Sequence, residues 1–191
     1  MSIVRIYATD DQDMHRSMLR MTVGGLTQMP GVSFQVEKEF PNGKALTDAL
    51  SGGLPPPDLF TLDIRMPIQD GLTTLLLLRR KLQLRQPILM VSSEEEANIT
   101  RRSGAVDPKI AAMSNADKLA QLGKVEARIL AGVVEPGKIN DLLSGCERLQ
   151  MDPRAYAQSL GANGFLHKPF TADQAARVVP EAVNGKSFAC N

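Results

Sequence analysis

The chain has 191 residues, long enough for one well-buried α/β domain with an addition and short for two. Its 22 Lys plus Arg nearly balance its 21 Asp plus Glu, so no global field draws it to nucleic acid or to an anionic membrane. No apolar run approaches the roughly 20 residues of a membrane span, no signal-peptide pattern opens the chain, and Cys146 and Cys190 form no paired metal or redox motif; the expectation is a soluble protein of a reducing cytoplasm.

Ile3 to Ala8 is apolar except for Arg5, which suits a mostly buried strand. Met14, Met18, Leu19, Met21, Leu26 and Met29 then recur at helical steps until Pro30-Gly31 stops the pattern. Val32 to Phe40 alternates as a second strand, and Pro41-Asn42-Gly43 turns into a helix over Lys44 to Leu50 that Ser51-Gly52-Gly53 ends. The stiff Pro55-Pro56-Pro57 feeds a third strand, Asp58 to Asp63. Gly71 to Leu84 reads as a leucine-rich helix, and Pro87 opens a fourth strand, Ile88 to Val91.

The alternation breaks at Ser92. From Glu94 to about Asp152 there is no strand pattern, but two apolar helical faces stand out: Leu122, Val125, Ile129 and Val133, with Ser114 or Asn115 as N-cap, then Ile139, Leu142, Leu143, Cys146 and Leu149. Glu135-Pro136-Gly137 between them predicts a helical hairpin. Pro153 to Leu160 is a short helix, Gly161 to Gly164 a turn, and Phe165 to His167 a fifth strand. Thr171-Ala172-Asp173-Gln174 fits a capping box opening a last helix, which Pro180 should kink or shorten.

Chemistry gathers where the strands end. Asp10-Asp11 closes the first run, Asp63 the third, Ser92-Ser93 the fourth and Lys168-Pro169-Phe170 the fifth, and Asp63-Ile64-Arg65-Met66-Pro67 is followed by Asp70-Gly71. An acid pair, a lone Asp, a hydroxyl and a lysine in this order resemble the receiver domain of bacterial two-component response regulators (CheY-like). The resemblance implies a doubly wound, five-stranded parallel α/β sheet of flavodoxin-like/CheY-like order 2-1-3-4-5, with the site at the carboxyl ends of the strands.

For the site, the resemblance implies that Asp63 is the phosphoacceptor. Mg2+ would be held by Asp11, Asp63 and the backbone carbonyl of Arg65, with Asp10 orienting a metal-bound water. Lys168 would donate to a phosphoryl oxygen, Ser92 would hydrogen-bond the installed group, and Phe165 would turn inward behind Ser92 as a switch. Arg65 and Glu94 occupy positions that tune hydrolysis in the family. A sensor histidine kinase or histidine phosphotransfer protein is the implied donor and a downstream protein the implied target. The protein would be a phosphoacceptor rather than a turnover enzyme.

Plainer readings stand beside these. Asp10-Asp11 taken alone would be a helix cap, Ser92-Ser93 a loop hydroxyl, and Lys168 a surface lysine. His15 and His167 read as surface or structural, since neither has a metal-spaced partner. Arg79-Arg80-Lys81 and Glu94-Glu95-Glu96 read as solvated charge runs. Haloacid-dehalogenase-type phosphatases also use an Asp nucleophile, with a second Asp two residues on. Asp11 and Asp13 have that spacing, but Arg65 stands two after Asp63 and the Asp63 motif has no place in that scheme.

The departure from the family is length. Ser92 and Lys168 are 76 positions apart, where the family has roughly two dozen, close to a βαβ connection. Lys109, after the decoy Gly104-Ala105, lacks both the strand before it and the Pro-Phe after it. Residues 94–152 are therefore read as a helical insertion within one receiver domain spanning 1–191, which makes the connection about fifty residues longer than the family's. It would sit beside the fourth helix, fifth strand and fifth helix, the face through which receivers meet partners or form homodimers. Nine basic and ten acidic residues between Glu94 and Arg154 give a DNA-binding motif little support. With no effector domain expected, output is by protein contact; the alternative is a phosphorylation-independent interaction module whose insertion binds a partner.

Overall fold

The structure is a computed structural model that describes residues 2–27, 29–93, 107–132 and 141–184. Among these, β1 (Ser2–Thr9), β2 (Val32–Phe40), β3 (Leu59–Asp63), β4 (Ile88–Ser93) and β5 (Gly164–Lys168) form one sheet of order β2-β1-β3-β4-β5. Every pairing is parallel, so fold class and strand order are those expected. The helices are α1 (Asp13–Gly24), α2 (Gly43–Ser51), α3 (Gly71–Leu76), α4 (Pro108–Ala111), α5 (Asn115–Leu130), α6 (Asp141–Leu149), α7 (Pro153–Ser159) and α8 (Ala172–Val183). No helix of the described residues is long and apolar enough to cross a membrane.

Strand residues alternate between two cores because successive side chains point to opposite faces. Ile6, Ala8, Leu59, Leu89, Val91 and Leu166 pack with Leu19 and Val23 of α1 and Ala175 and Val179 of α8. Tyr7, Phe60, Leu62, Ile88, Met90 and Phe165 pack with Leu46 of α2, Leu72 and Leu75 of α3, and residues of α5, α6 and α7. All five residues of β3 are buried, as a strand covered on both faces requires.

The helix starts are where the polar residues put them. Asn42, Asp70, Ser114, Asp152 and Thr171 each accept a hydrogen bond from a first-turn N–H. Ser114, not Asn115, is the cap of α5, and Thr171 with Gln174 forms the capping box. Pro180 is buried inside α8, which ends three residues later at Val183.

The leucine-rich helix differs from expectation. After α3 the chain widens into a π-helical turn, Leu77–Lys81, closed by a hydrogen bond from Leu82 N–H to the Leu77 carbonyl (2.9 Å). Leu75, Leu76 and Leu78 are all buried there, and Arg79 is drawn out of the solvated run assigned to it. Its guanidinium donates to the carbonyls of Leu84, Gln86 and Gly161 and to Asn163 Oδ1. It thereby clasps the loops that lead into β4 and β5.

The inserted segment is part of the core. Leu122 and Ile129 of α5 and Leu142, Leu143, Cys146 and Leu149 of α6 are buried in the same cluster as Leu62 and Leu75. The two apolar stripes thus cover each other and the sheet-side helices. Gly145 lies where α6 meets α5, and a Cβ there would stand 2.8 Å from Leu122 Cδ2. Tyr156 of α7 donates from its hydroxyl to Glu126 Oε1 of α5 at 2.6 Å. The expected turn at Glu135-Pro136-Gly137 and the Glu94 run lie outside the described residues, as do Val133, Ile139 and Cys190.

A core helix is costly to truncate. Leu142→Ala is expected to lower unfolding free energy by about 3 kcal/mol, the range for a fully buried leucine, measured by urea denaturation. A peripheral decoration would lose well under about 1 kcal/mol.

Candidate functional site

The parallel sheet brings the carboxyl ends of β1, β3, β4 and β5 to one edge. Side-chain alternation then selects a face: Asp63 continues the row of Leu59 and Thr61, Asp10 that of Ile6 and Ala8, and Lys168 that of Leu166. All three emerge on the side covered by α1 and α8. Carboxylate oxygens of Asp10, Asp11 and Asp63 lie within 4.8 Å of one another. Asp10 is 6% and Asp63 4% exposed, whereas Asp11 is exposed.

Lys168 ties the buried pair together. Its Nζ is 2.6 Å from Asp63 Oδ1 and 2.6 Å from Asp10 Oδ2. Burial pulls the ammonium's pKa down, but the charges and hydrogen bonds of Asp63 and Asp10 outweigh it and hold the group above the ordinary lysine value. The other oxygen of Asp10 accepts from Gln12 N–H (2.9 Å) and meets His15 Nδ1 at 3.3 Å. The Arg16 guanidinium donates to the Asp10 carbonyl. The Lys168–Pro169 bond is cis.

Three carboxylates against one ammonium leave an excess of two negative charges, the charge of one divalent cation. The donors are hard oxygens at the mouth of an open cleft lined also by Arg65, Met66, Ser93 and Lys168. That donor set fits Mg2+, which takes oxygen ligands and keeps several waters.

The two hydroxyls at the end of β4 point apart. Ser93 pairs in register with Lys168 and lines the cleft. Ser92 pairs with His167 and is fully buried; its Oγ has no hydrogen-bond partner among the described residues. By alternation it lies on the face of Met90 and Phe165, and Phe165 is itself buried. Arg65 lines the cleft, and its Nη2 is 2.8 Å from Glu147 Oε1 on α6.

The loop after Asp63 is shaped by its motif. Asp70 caps α3, accepting from Thr73 N–H (2.8 Å) and Thr73 Oγ1 (3.0 Å). Gly71 N–H donates to the Ile64 carbonyl at 2.9 Å. A Cβ on Gly71 would come within 2.1 Å of the Asp63 carbonyl oxygen, so glycine lets α3 start directly under the acceptor strand. Met66 and Gln69 are buried, and Gln69 Nε2 donates to Thr74 Oγ1 at 2.9 Å. Ile68 between them is exposed and has φ +67°, a conformation unfavourable for a β-branched residue.

Sequence reasoning missed His15 and Glu147 as neighbours of the site; of the pair Ser92-Ser93, which it placed at the site edge, it chose Ser92, and Ser93 is the one that lines the cleft. His15 carried a faint signal: it is the third residue of α1, and side chains in a first turn lean back over the chain that enters the helix. Glu147 carried none, since it is 82 positions from Arg65.

No protein-family model matches the chain, and no curated protein matches it. Solved structures do. The signal receiver domain of the response regulator NarL from Mycobacterium tuberculosis aligns over 97% of this chain and all of its own, with 20% identity and a TM-score of 0.54. The REC domain of AraT, a response regulator from Geobacillus stearothermophilus, covers 94% of this chain and 92% of its own, with 18% identity and a TM-score of 0.55. The response regulator domain of CheB from Thermotoga maritima covers 99% of each, with 18% identity and a TM-score of 0.50. At these identities the fold is what is shared, and it is that of response-regulator receiver domains.

Two predictions follow from the loop. Ile68→Asn is expected to raise stability by about 1 kcal/mol, because asparagine tolerates the left-handed region better; urea denaturation measures it. Burial raises Asp70 from 3.8 to about 7, against the pull of its hydrogen bonds to Thr73. The folded chain therefore keeps a proton that the unfolded chain releases, a contribution fully present below 3.8 and lost as pH rises through about 7. Asp70→Asn, which keeps an acceptor for the Thr73 N–H, is expected to show a shallower decline in unfolding free energy across that window.

Proposed function

We propose that the chain is a response-regulator receiver, with residues 94–152 inserted in it, that takes a phosphoryl group on Asp63. The observation that carries this reading is the convergence of Asp10, Asp11 and Asp63 within 4.8 Å, with Lys168 Nζ 2.6 Å from Asp63 Oδ1, at the switch-point edge of a receiver fold.

Asp63 acts as nucleophile. A carboxylate oxygen attacks the phosphorus of a phosphohistidine on a kinase or phosphotransfer protein; the new O–P bond forms as the P–N bond breaks, and the histidine leaves with the electron pair. Phosphoryl transfer needs mainly positioning and charge neutralisation. Mg2+, held by Asp11, Asp63 and the Arg65 carbonyl, would supply neutralising charge. Lys168 follows the charge from the Asp63 carboxylate to a phosphoryl oxygen. Asp10 would orient a water held by the cation. Ser92 Oγ, buried without a partner among the described residues, is a donor that an installed phosphoryl oxygen would attract. Phe165, already buried, supports an inward state that does not wait for phosphorylation.

The output is protein contact rather than turnover of a substrate. Charge balance along the chain offers no electrostatic footprint for DNA. The surface formed by α6, α7, β5 and α8 is where a downstream protein or a second copy would dock, in the cytoplasm where histidine kinases present their phosphohistidine.

The test is intact mass after incubation with acetyl phosphate, with and without Mg2+, on wild type and Asp63→Asn. The expected result is a single Mg2+-dependent phosphoryl adduct on wild type and none on the variant. Absence of an adduct, with histidine kinases as donors as well, would overturn this reading in favour of a phosphorylation-independent interaction module.

A further inference from the structure

We infer that His15 is a positioning residue for the acidic site: its imidazole fixes Asp10 so that one carboxylate oxygen belongs to α1 and the other faces the site, where it would orient a water of the cation. The inference rests on the reading of Asp10, Asp11 and Asp63 as a Mg2+ site. It concerns a side chain for which that reading has no role.

The contacts of Asp10 are unequal on its two oxygens. Oδ2 faces the site and meets Lys168 Nζ at 2.6 Å. Oδ1 faces the first turn of α1, where Gln12 N–H donates at 2.9 Å and His15 Nδ1 lies at 3.3 Å. An ionised carboxylate can only accept, so Nδ1 is the protonated nitrogen of the ring and donates. The His15 side chain is 21% exposed. It borders both the cleft over Asp63 and the narrow pocket beneath it, lined by Ala8, Thr61 and Lys168.

The surroundings leave His15 as the side chain for this task. Asp13 and Arg16 pair with each other. Arg16 also reaches Glu39 and the Asp10 carbonyl rather than its carboxylate, and Met14 is exposed to solvent. With two donors on Oδ1, the carboxylate cannot rotate without losing both. When Lys168 moves to a phosphoryl oxygen, the oxygen released is always Oδ2, the one already turned to the site. Without the imidazole, Oδ1 would keep a single donor, the Gln12 N–H, and the carboxylate could swing away from the site once Lys168 has moved.

The experiment uses the full chain. Mg2+ affinity is measured by isothermal titration calorimetry on wild type, His15→Leu and His15→Asn, with thermal unfolding in EDTA as a check on the fold. Leucine keeps the volume and removes the donor; the asparagine Nδ2 stands where Nδ1 did. His15→Met is a second donor-free side chain should the leucine variant fail to fold. The expected result is about tenfold weaker Mg2+ binding in the donor-free variants, the range for partners that orient a ligand, with recovery of most of the affinity in His15→Asn. Wild-type affinity in the donor-free variants would overturn the inference. So would equal weakening in His15→Asn, since the donor would then not be what matters. Either result, with wild type still phosphorylated by acetyl phosphate, leaves the proposed function standing; wild type that binds no Mg2+ removes both.

Discussion

Lys168 occupies a place that the sheet makes necessary. The order β2-β1-β3-β4-β5 sets β1 beside β3, so the carboxylates that end these strands are held close together at low exposure. Like charges there repel strongly unless a cation stands between them. The compensating ammonium comes from β5, two strands and roughly 10 Å from β3. Only a long flexible cation can bridge that distance, and β4 must end in something small for it to pass. Ser92-Ser93 meets that condition: Ser92 turns down into one core and Ser93 lies at the wall of the cleft.

The same economy accounts for the loop after Asp63. Asp70 and Gly71 start α3 immediately beneath the acceptor strand, with the glycine admitting a backbone approach that any side chain would block. Strain is concentrated at Ile68, in the exposed part of this loop, and the buried Met66 and Gln69 on either side hold it in place. The inserted helices are joined to this arrangement rather than hung from it. α6 packs against α3, α5 and α7, and its Glu147 pairs with Arg65 two residues after the acceptor. Both partners are substantially exposed, so the pair adds little stability.

Much of this was legible in the amino-acid pattern. Apolar runs closed by Asp10-Asp11, Asp63, Ser92-Ser93 and Lys168 gave the strands, their order in the chain and the residues at their ends, because a parallel sheet turns strand ends into one edge. Ser114, Thr171 and Gln174 marked helix starts because capping is local chemistry. What escaped is nonlocal or finely balanced. A π-helical turn differs from an α-helix by one hydrogen-bond register, which a row of leucines does not reveal. Arg79 looks like its neighbours Arg80 and Lys81 until the loops at Leu84, Gln86 and Gly161 fold around it. Glu147 meets Arg65 only once α6 is seated in the core, and a lone histidine on a helix gives no sign of the carboxylate it will face.

The site is governed by electrostatics: Lys168 compensates part of the charge of three gathered carboxylates, and a divalent cation is left to compensate the rest. Thermal unfolding of wild type and Lys168→Ala, each in EDTA and in Mg2+, tests it most directly. The account predicts a clear loss of melting temperature for the variant in EDTA and a larger Mg2+-induced recovery than in wild type, because the cation then replaces the missing ammonium. An equal response of both proteins to Mg2+, or no response in either, would contradict it.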